Sequence, residues 1–253
     1  MGVLELAGIS KRFVIRENPT LDFKVRVLAL FHPRHRERRH EVWALRDVDV
    51  HLGRGESLGL VGPNGSGKST LLRIMAGILQ PTSGRVSLAG TVAPMLELGV
   101  GFHPELTGRE NVYLSTSLFG LGRRQTDALY DRIVAFAELE GFMDSPVKTF
   151  STGMAMRLGF AVATHLEADI LLVDEVLAVG DRAFQQKCLT RMSEVRASGR
   201  SIVVVAHDLD LVQRFCDRAC LLVQGRIVAE GDPAEVVARY CLEGVPMEPA
   251  HAI

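Results

Sequence analysis

The chain has 253 residues, 47% of them apolar but only 6% aromatic, enough for one sizeable core built mainly from Val, Ile, Leu and Ala. Its formal net charge of -1 excludes the global positive field of a general nucleic-acid binder. Cys188, Cys216, Cys220 and Cys241 form no C-x-x-C pair and read as reduced cytosolic thiols, not a disulfide framework. From the N-terminus, "VLELAGISKRF" reads as a strand and a turn, without the basic and apolar regions of a secretory leader. Residues 16–41 interrupt the pattern: "LDFKVRVLALF" fits both a strand alternation and one helical face, and "HPRHRERRH" sets four Arg and three His against one Glu. A second strand is expected at "WALRDVDVHL". A third, fully apolar, lies at "ESLGLVG" and runs at once into a Gly-rich loop and the helix "KSTLLRIMAGIL". "PTSG" reads as a turn. From residue 107 helical spacing broken by Gly and Pro predicts a small helical subdomain, reaching to about residue 165. "DILLVDE" and "SIVVVAH" are two more buried strands with the polar helix "DRAFQQKCLTRMSEVRA" between them. "RACLLVQGRIVAEGDP" predicts a hairpin and "AEVVARYCLEG" a last helix, leaving 246–253 as a tail to a single domain over 1–245. Apolar strands alternating with helices predict an α/β fold with a mostly parallel core sheet. No apolar run approaches the ~18 residues of a membrane-spanning helix, so a membrane role is expected through a partner or the bilayer surface.

"GPNGSGKST", Gly62 to Thr70, fits the phosphate-binding pattern G-x-x-x-x-G-K-[ST]. Gly62, Gly65 and Gly67 let the backbone turn its N–H groups toward phosphate oxygens, with Pro63, Asn64 and Ser66 completing the loop. Lys68 is long enough to reach β- and γ-phosphates, the Ser69 hydroxyl can ligate Mg²⁺, and the helix that carries Lys68, Ser69 and Thr70 adds its N-terminal dipole. Strand, loop and helix follow in the order the pattern requires, which a merely Gly-rich turn has no reason to do.

In open α/β sheets ligands sit beyond the carboxyl ends of the strands. "DILLV" ends at Asp174-Glu175, and "SIVVVA" ends at His207. Asp174 suits a Mg²⁺ ion, directly or through water. Glu175 suits polarising a water that attacks the γ-phosphate. His207 suits donating to that phosphate. Each residue alone is more often a helix cap or a structural side chain; beside a phosphate loop the functional reading is the stronger.

These motifs, with a Ser-x-Gly helix start in "FSTGM" shortly before the Asp-Glu strand, resemble the ATP-binding subunits of ABC transporters over nearly the whole chain. The resemblance implies a P-loop ATPase of the ABC type: a mostly parallel core sheet, an antiparallel β part and an inserted helical subdomain. It also implies ATP with Mg²⁺ and a homodimer that sandwiches two ATP molecules. In the family an LSGGQ motif binds the γ-phosphate of ATP held by the partner subunit. Here Ser151 and Gly153 match it, while Thr152 and Met154 depart. A Ser hydroxyl, free N–H groups and a helix dipole still make an anion site, and a plain N-cap is compatible with it. "LAVGD" resembles the D-loop, with Asp181 as its acid. The family's Mg²⁺-contacting Gln is absent between Pro81 and Gln125, and Glu97 stands as its substitute; Phe13 is the expected adenine-stacking aromatic.

"EVWALRDV", "LELGVGFHPELTGRENVYL", "FSTGMAMRLGFAVAT" and "LLVDEVLAVGDRAFQQKCL" are similar to the subunits of bacterial exporters for lipid-linked polysaccharides, the O-antigen, capsule and teichoic-acid group. That resemblance implies a separate transmembrane permease, a peripheral place on the cytoplasmic face of the inner membrane and a lipid-linked glycan handled through the permease. The C-terminal carbohydrate-binding domain of some members is not expected in a chain that ends soon after "PAEVVARYCLEG". Another transporter's ATPase is the near alternative. A soluble ABC ATPase is disfavoured by the single cassette, and a GTPase by the lack of N-K-x-D. The resemblance tips "LDFKVRVLALF" toward a helix, and Arg34, Arg36, Arg38 and Arg39 are expected to face the membrane or a lipid phosphate.

Overall fold

The computed structural model describes residues 3–17, 38–95, 102–174, 181–205 and 208–242. The chain opens with two long strands, β1 (Leu4–Glu17) and β2 (Arg38–Leu52), then β3 (Ser57–Val61), α1 (Lys68–Met75), β4 (Ser83–Leu88) and β5 (Val92–Met95). Helices α2 (Gly108–Leu118), α3 (Arg123–Ala137) and α4 (Thr152–His165) follow, then β6 (Ile170–Asp174), α5 (Arg182–Ala197), β7 (Ser201–Val205), α6 (Leu209–Phe215), β8 (Arg218–Val223), β9 (Arg226–Gly231) and α7 (Pro233–Leu242).

The strands form two sheets. A three-stranded antiparallel sheet has the order β2-β1-β4, and a six-stranded sheet has the order β5-β6-β7-β3-β8-β9. All pairings in the larger sheet are parallel except β8 with β9. Its inner strands are buried on both faces, which explains their unbroken apolar runs. Alternate residues go to opposite cores. Leu58, Leu60, Ile170, Leu172, Val203 and Val205 pack with α1 and the antiparallel sheet. Leu171, Val173, Ile202 and Val204 pack on the other side with Phe160, Phe184 and Val212. Gly59 lets α6 approach closely: a Cβ there would sit 2.6 Å from Val212 Cγ1.

The helical part has its own core, in which Val112 of α2 and Leu129, Ile133 and Val134 of α3 meet Leu158, Ala161 and Val162 of α4. The same α4 sends Phe160 and Ala163 into the sheet core. Phe136 of α3 stacks on Phe160 with ring centroids 5.9 Å apart and meets Phe184 of α5 edge-on at 5.7 Å. This aromatic cluster joins the helices to the sheet.

Several boundaries differ from the sequence expectation, among them the end of α1, which stops at Met75 and not at Leu79. β1 continues to Glu17 and β2 begins at Arg38, so Arg38 and Arg39 lie in a strand and the hairpin reaches into the expected interruption. The expected turn at "PTSG" runs directly into β4 at Ser83. β5 was not foreseen; it is an edge strand, the place in a sheet that tolerates Pro94. "LDFKVRVLALF", Arg34, Arg36, Glu97, Glu175 and His207 lie outside the described residues.

Candidate functional site

The phosphate loop joins the carboxyl end of β3 to the start of α1. Gly62 has φ 150° and Gly67 has φ 109°, values that a side chain rarely adopts. Both are also closed to a side chain by backbone: a Cβ at Gly62 would meet the Leu222 carbonyl oxygen at 2.1 Å, and one at Gly67 would meet that of Ala44 at 2.5 Å. The loop is therefore held from outside. The Gly225 amide donates to the Ser66 carbonyl (2.9 Å), and the Arg46 amide donates to that of Gly225 (2.8 Å), tying β2 and the β8–β9 turn to it.

Within the loop, buried Lys68 donates from Nζ to the carbonyls of Gly62 (2.7 Å) and Pro63 (3.0 Å). Ser66 is buried, and its hydroxyl has no hydrogen-bond partner among the described residues. Gly67 caps α1 in the left-handed conformation without a side-chain cap. Asn64, Gly65 and Ser69 are exposed, Thr70 is half-buried, and a Cβ at Gly65 would meet nothing within 4 Å. A buried cation, an unpartnered buried hydroxyl and an uncapped helix start in an open loop suit a phosphate chain.

Asp174 closes β6. In parallel register it stands beside Val205 of β7, which stands beside Leu60 of β3, two residues before Gly62. At roughly 4.8 Å per strand, Asp174 is about 10 Å across the sheet from the root of the loop. Glu175 follows Asp174 in the chain, and His207 lies two residues beyond Val205. Among the described residues no three His, Cys, Asp or Glu side chains cluster as a metal site. A Mg²⁺ ion that binds through one or two carboxylates together with substrate phosphates does not require such a cluster.

Ser151 is the N-cap of α4, and its hydroxyl accepts from the Met154 amide at 3.1 Å. Ser151 is exposed, and a Cβ at Gly153 would meet only the Ser151 hydroxyl, at 3.9 Å. Asp181 is the N-cap of α5 and accepts from the Phe184 amide at 2.9 Å. That amide, and then the guanidinium of Arg157, hold the Asp181 carboxyl below its ordinary value. Arg157 escaped the sequence reading. A lone charge in an otherwise apolar helix is the signal that could have found it.

Phe13 lies on β1 opposite Val42, half exposed, with Lys11 Nζ 5.3 Å from its ring centroid. A second exposed aromatic, Trp43, follows Val42 on β2 and so points to the other face of the hairpin, where Arg12 lies 5.6 Å from its ring. Trp43 adjoins Ala44, whose carbonyl faces Gly67.

A family model described as "ABC transporter" matches residues 45–178. The O-antigen export system ATP-binding protein RfbB of Klebsiella pneumoniae is 43% identical, over 83% of this chain and 87% of its own. The teichoic acids export ATP-binding protein TagH of Listeria innocua is 38% identical, over 92% of this chain and 68% of its own. Among solved structures, a dimeric post-hydrolysis state of the ATP-binding cassette MJ0796 bound to ADP and Pi superposes with a TM-score of 0.73 at 22% identity, over 91% of this chain and 98% of that one.

Proposed function

From the premise that this chain belongs to the ABC transporter family and is an ATP-binding, ATP-hydrolysing subunit, we propose that it dimerises around two Mg-ATP and drives export of a lipid-linked polysaccharide through a separate transmembrane permease. The observation that carries the ATPase geometry is the register that sets Asp174 level with Leu60, two residues before the phosphate loop. The polysaccharide rests on the 43% identity to an O-antigen export subunit and the 38% identity to a teichoic-acid export subunit.

In this reading Gly62–Thr70 wraps the β- and γ-phosphates and Lys68 turns its ammonium from the Gly62 and Pro63 carbonyls toward them. Ser69 and Asp174, with Glu97 as a further ligand, would hold a Mg²⁺ ion, which would supply charge neutralisation for phosphoryl transfer. Glu175 polarises the attacking water and His207 donates to the γ-phosphate. The adenine ring is assigned to the aromatic end of the β1–β2 hairpin. Phe13 is the first choice, and Trp43 the second because of its place beside Ala44. Ser151 and Gly153 of one subunit meet the γ-phosphate held by the other. The exposure of Ser151 supports that assignment, and likeness to a cassette solved as a dimer supports the sandwich. Among the described residues no helix is long and apolar enough to cross a membrane. The proposed place is peripheral, on the cytoplasmic face of the inner membrane, against the permease.

Glu175→Gln tests this reading, because the amide keeps the shape of the carboxylate and loses its basic oxygen. The variant should bind ATP, cease hydrolysis and elute as a dimer when ATP is present. Rapid hydrolysis, or a monomer at high protein concentration with ATP, counts against it.

A further inference from the structure

We propose that Gly225, in the turn between β8 and β9, is a positioning residue for ATP binding: it fixes the Ser66–Gly67 peptide of the phosphate loop from outside, without touching the nucleotide. The inference rests on the reading of Gly62–Thr70 as the ATP loop and adds to it the part of the fold that sets the shape of that loop.

β8 and β9 pair as far as Val223 opposite Arg226, which leaves Gln224 and Gly225 as a two-residue connection. Both are left-handed, with φ 47° and 76°, the sign that tight hairpin turns of this length demand at both positions. At Gly225 a second constraint is added. A Cβ there would stand 2.7 Å from the Ala44 carbonyl oxygen and 3.1 Å from Leu45 Cα, both on β2. The same Ala44 oxygen lies 2.5 Å from where a Gly67 Cβ would be. Backbone from the turn, from β2 and from the phosphate loop therefore meets around one carbonyl, with no room for a side chain on either glycine.

The hydrogen bonds at this meeting point have a direction. The Gly225 amide donates to the Ser66 carbonyl at 2.9 Å, and the Gly225 carbonyl accepts from the Arg46 amide at 2.8 Å. Ser66 is buried, and its hydroxyl has no partner among the described residues, so its side chain forms no hydrogen bond that would hold the peptide. In a planar trans peptide the C=O and the N–H point opposite ways. Drawing the Ser66 carbonyl toward the turn thus aims the Gly67 amide away from it, to the side where the loop would wrap phosphate oxygens, next to the buried Lys68. β8 completes the outer wall, because the Leu222 carbonyl closes Gly62 in the same way.

Such a support matters because a phosphate is held by several amides at once. A binding group must be kept within roughly 0.5 Å of its working place, and a misplacement of about 1 Å can cost on the order of 10²-fold. A methyl group at position 225 cannot be admitted unless the turn, β2 or the loop gives way by several tenths of an ångström.

Gly199 supplies the control. It is left-handed with φ 83°, a Cβ on it would meet nothing within 4 Å, and its amide donates to the Arg196 carbonyl at 2.9 Å in the turn after α5. Gly199→Ala imposes the same kind of backbone strain with no contact to the loop. Both variants should melt below wild type. Gly225→Ala should weaken equilibrium binding of a non-hydrolysable ATP analogue roughly tenfold, whereas Gly199→Ala should stay within about twofold of wild type. Amide hydrogen exchange on the unmutated chain gives a second measurement, which decides the matter if Gly225→Ala does not fold. The analogue should slow exchange of the Gly225 amide several-fold more than that of the Gly199 amide. If the wild type binds the analogue, Gly225→Ala binds it as tightly as Gly199→Ala and the two amides are protected equally, the turn does not position the loop and the proposal is overturned while the ATP loop stands. A wild type that binds no ATP analogue overturns the reading of the loop itself, and this proposal with it.

Discussion

Two helix starts in this molecule offer backbone N–H groups to an anion, and they are built in opposite ways. At α1 the N-cap is Gly67, left-handed and without a side-chain cap, in a loop clamped by β2 and by the β8–β9 turn, with a buried Lys68 beside it. At α4 the N-cap is Ser151, in the extended region, its hydroxyl already engaged by the Met154 amide, and exposed. The first start is completed by its own chain: cation, hydroxyl and rigid walls are all present. The second has a satisfied cap and no cation within its own motif, so in the proposed dimer its anion would come with the partner subunit. That difference fits the proposed sharing of a site between two subunits.

The largest expected effect follows from removing the cation of the first start. Lys68→Ala should abolish turnover, because a preorganised donor to the transition state typically contributes ~3–4 kcal/mol, or roughly 10²–10³ in rate. ATPase assays on the purified chain check this. Turnover within a few-fold of wild type would make the α1 start no more special than that of α4.

The second start separates by the size of the replacement. Ser151→Ala removes only the cap and should cost ~1 kcal/mol in a denaturant melt. Ser151→Arg fills the exposed site; it should spare ATP binding by a lone subunit, prevent dimer closure and lower turnover about a hundredfold, near the lower end for a lost donor. Mixing Ser151→Arg with Lys68→Ala sharpens the contrast, since one composite site of that heterodimer is free of both changes. If a mixed dimer forms and neither site occludes ATP, the α4 start does not act across the interface.

The first start was legible in the sequence and the second only partly, for a physical reason. β3, β6 and β7 are buried on both faces, so their apolar runs stand out, and the polar groups at their carboxyl ends are conspicuous by contrast. The hairpin end is different. Residues 40–42 are exposed, and the pairing of Arg12 with Trp43 and Val14 with Glu41 is carried by backbone hydrogen bonds with no apolar alternation to announce it. β5 is short and contains Pro94, which argues against a strand until its edge position is known. Arg157 could be seen as a charge but not as a link, because its partners Glu138 and Asp181 are 19 and 24 residues away in sequence.

The last expected effect sits at the far end of α4 and is read through pH. His165 is its last residue, 9% exposed, edge-on to Phe136 at 5.5 Å and bonded through Nδ1 to the Ala161 carbonyl at 2.7 Å. Burial pushes its pKa from 6.5 down to about 4; the Ala161 carbonyl opposes the shift, nearby Arg191 and Arg132 reinforce it, and Glu194 weakly resists. Between those values the unfolded chain binds a proton that the folded chain refuses, so stability is full above about pH 6.5 and is lost as pH falls toward 4. The whole shift corresponds to on the order of 3 kcal/mol as an upper bound. Carboxylates also respond to acid, so the comparison needed is one of slopes. Urea melts of the wild type and of His165→Gln, taken between about pH 7 and pH 4.5, should differ in steepness, the variant losing less stability per pH unit whatever its stability at neutral pH. Parallel slopes would mean that His165 accepts its proton within the fold, and that the far end of α4 does not make its packing acid-sensitive.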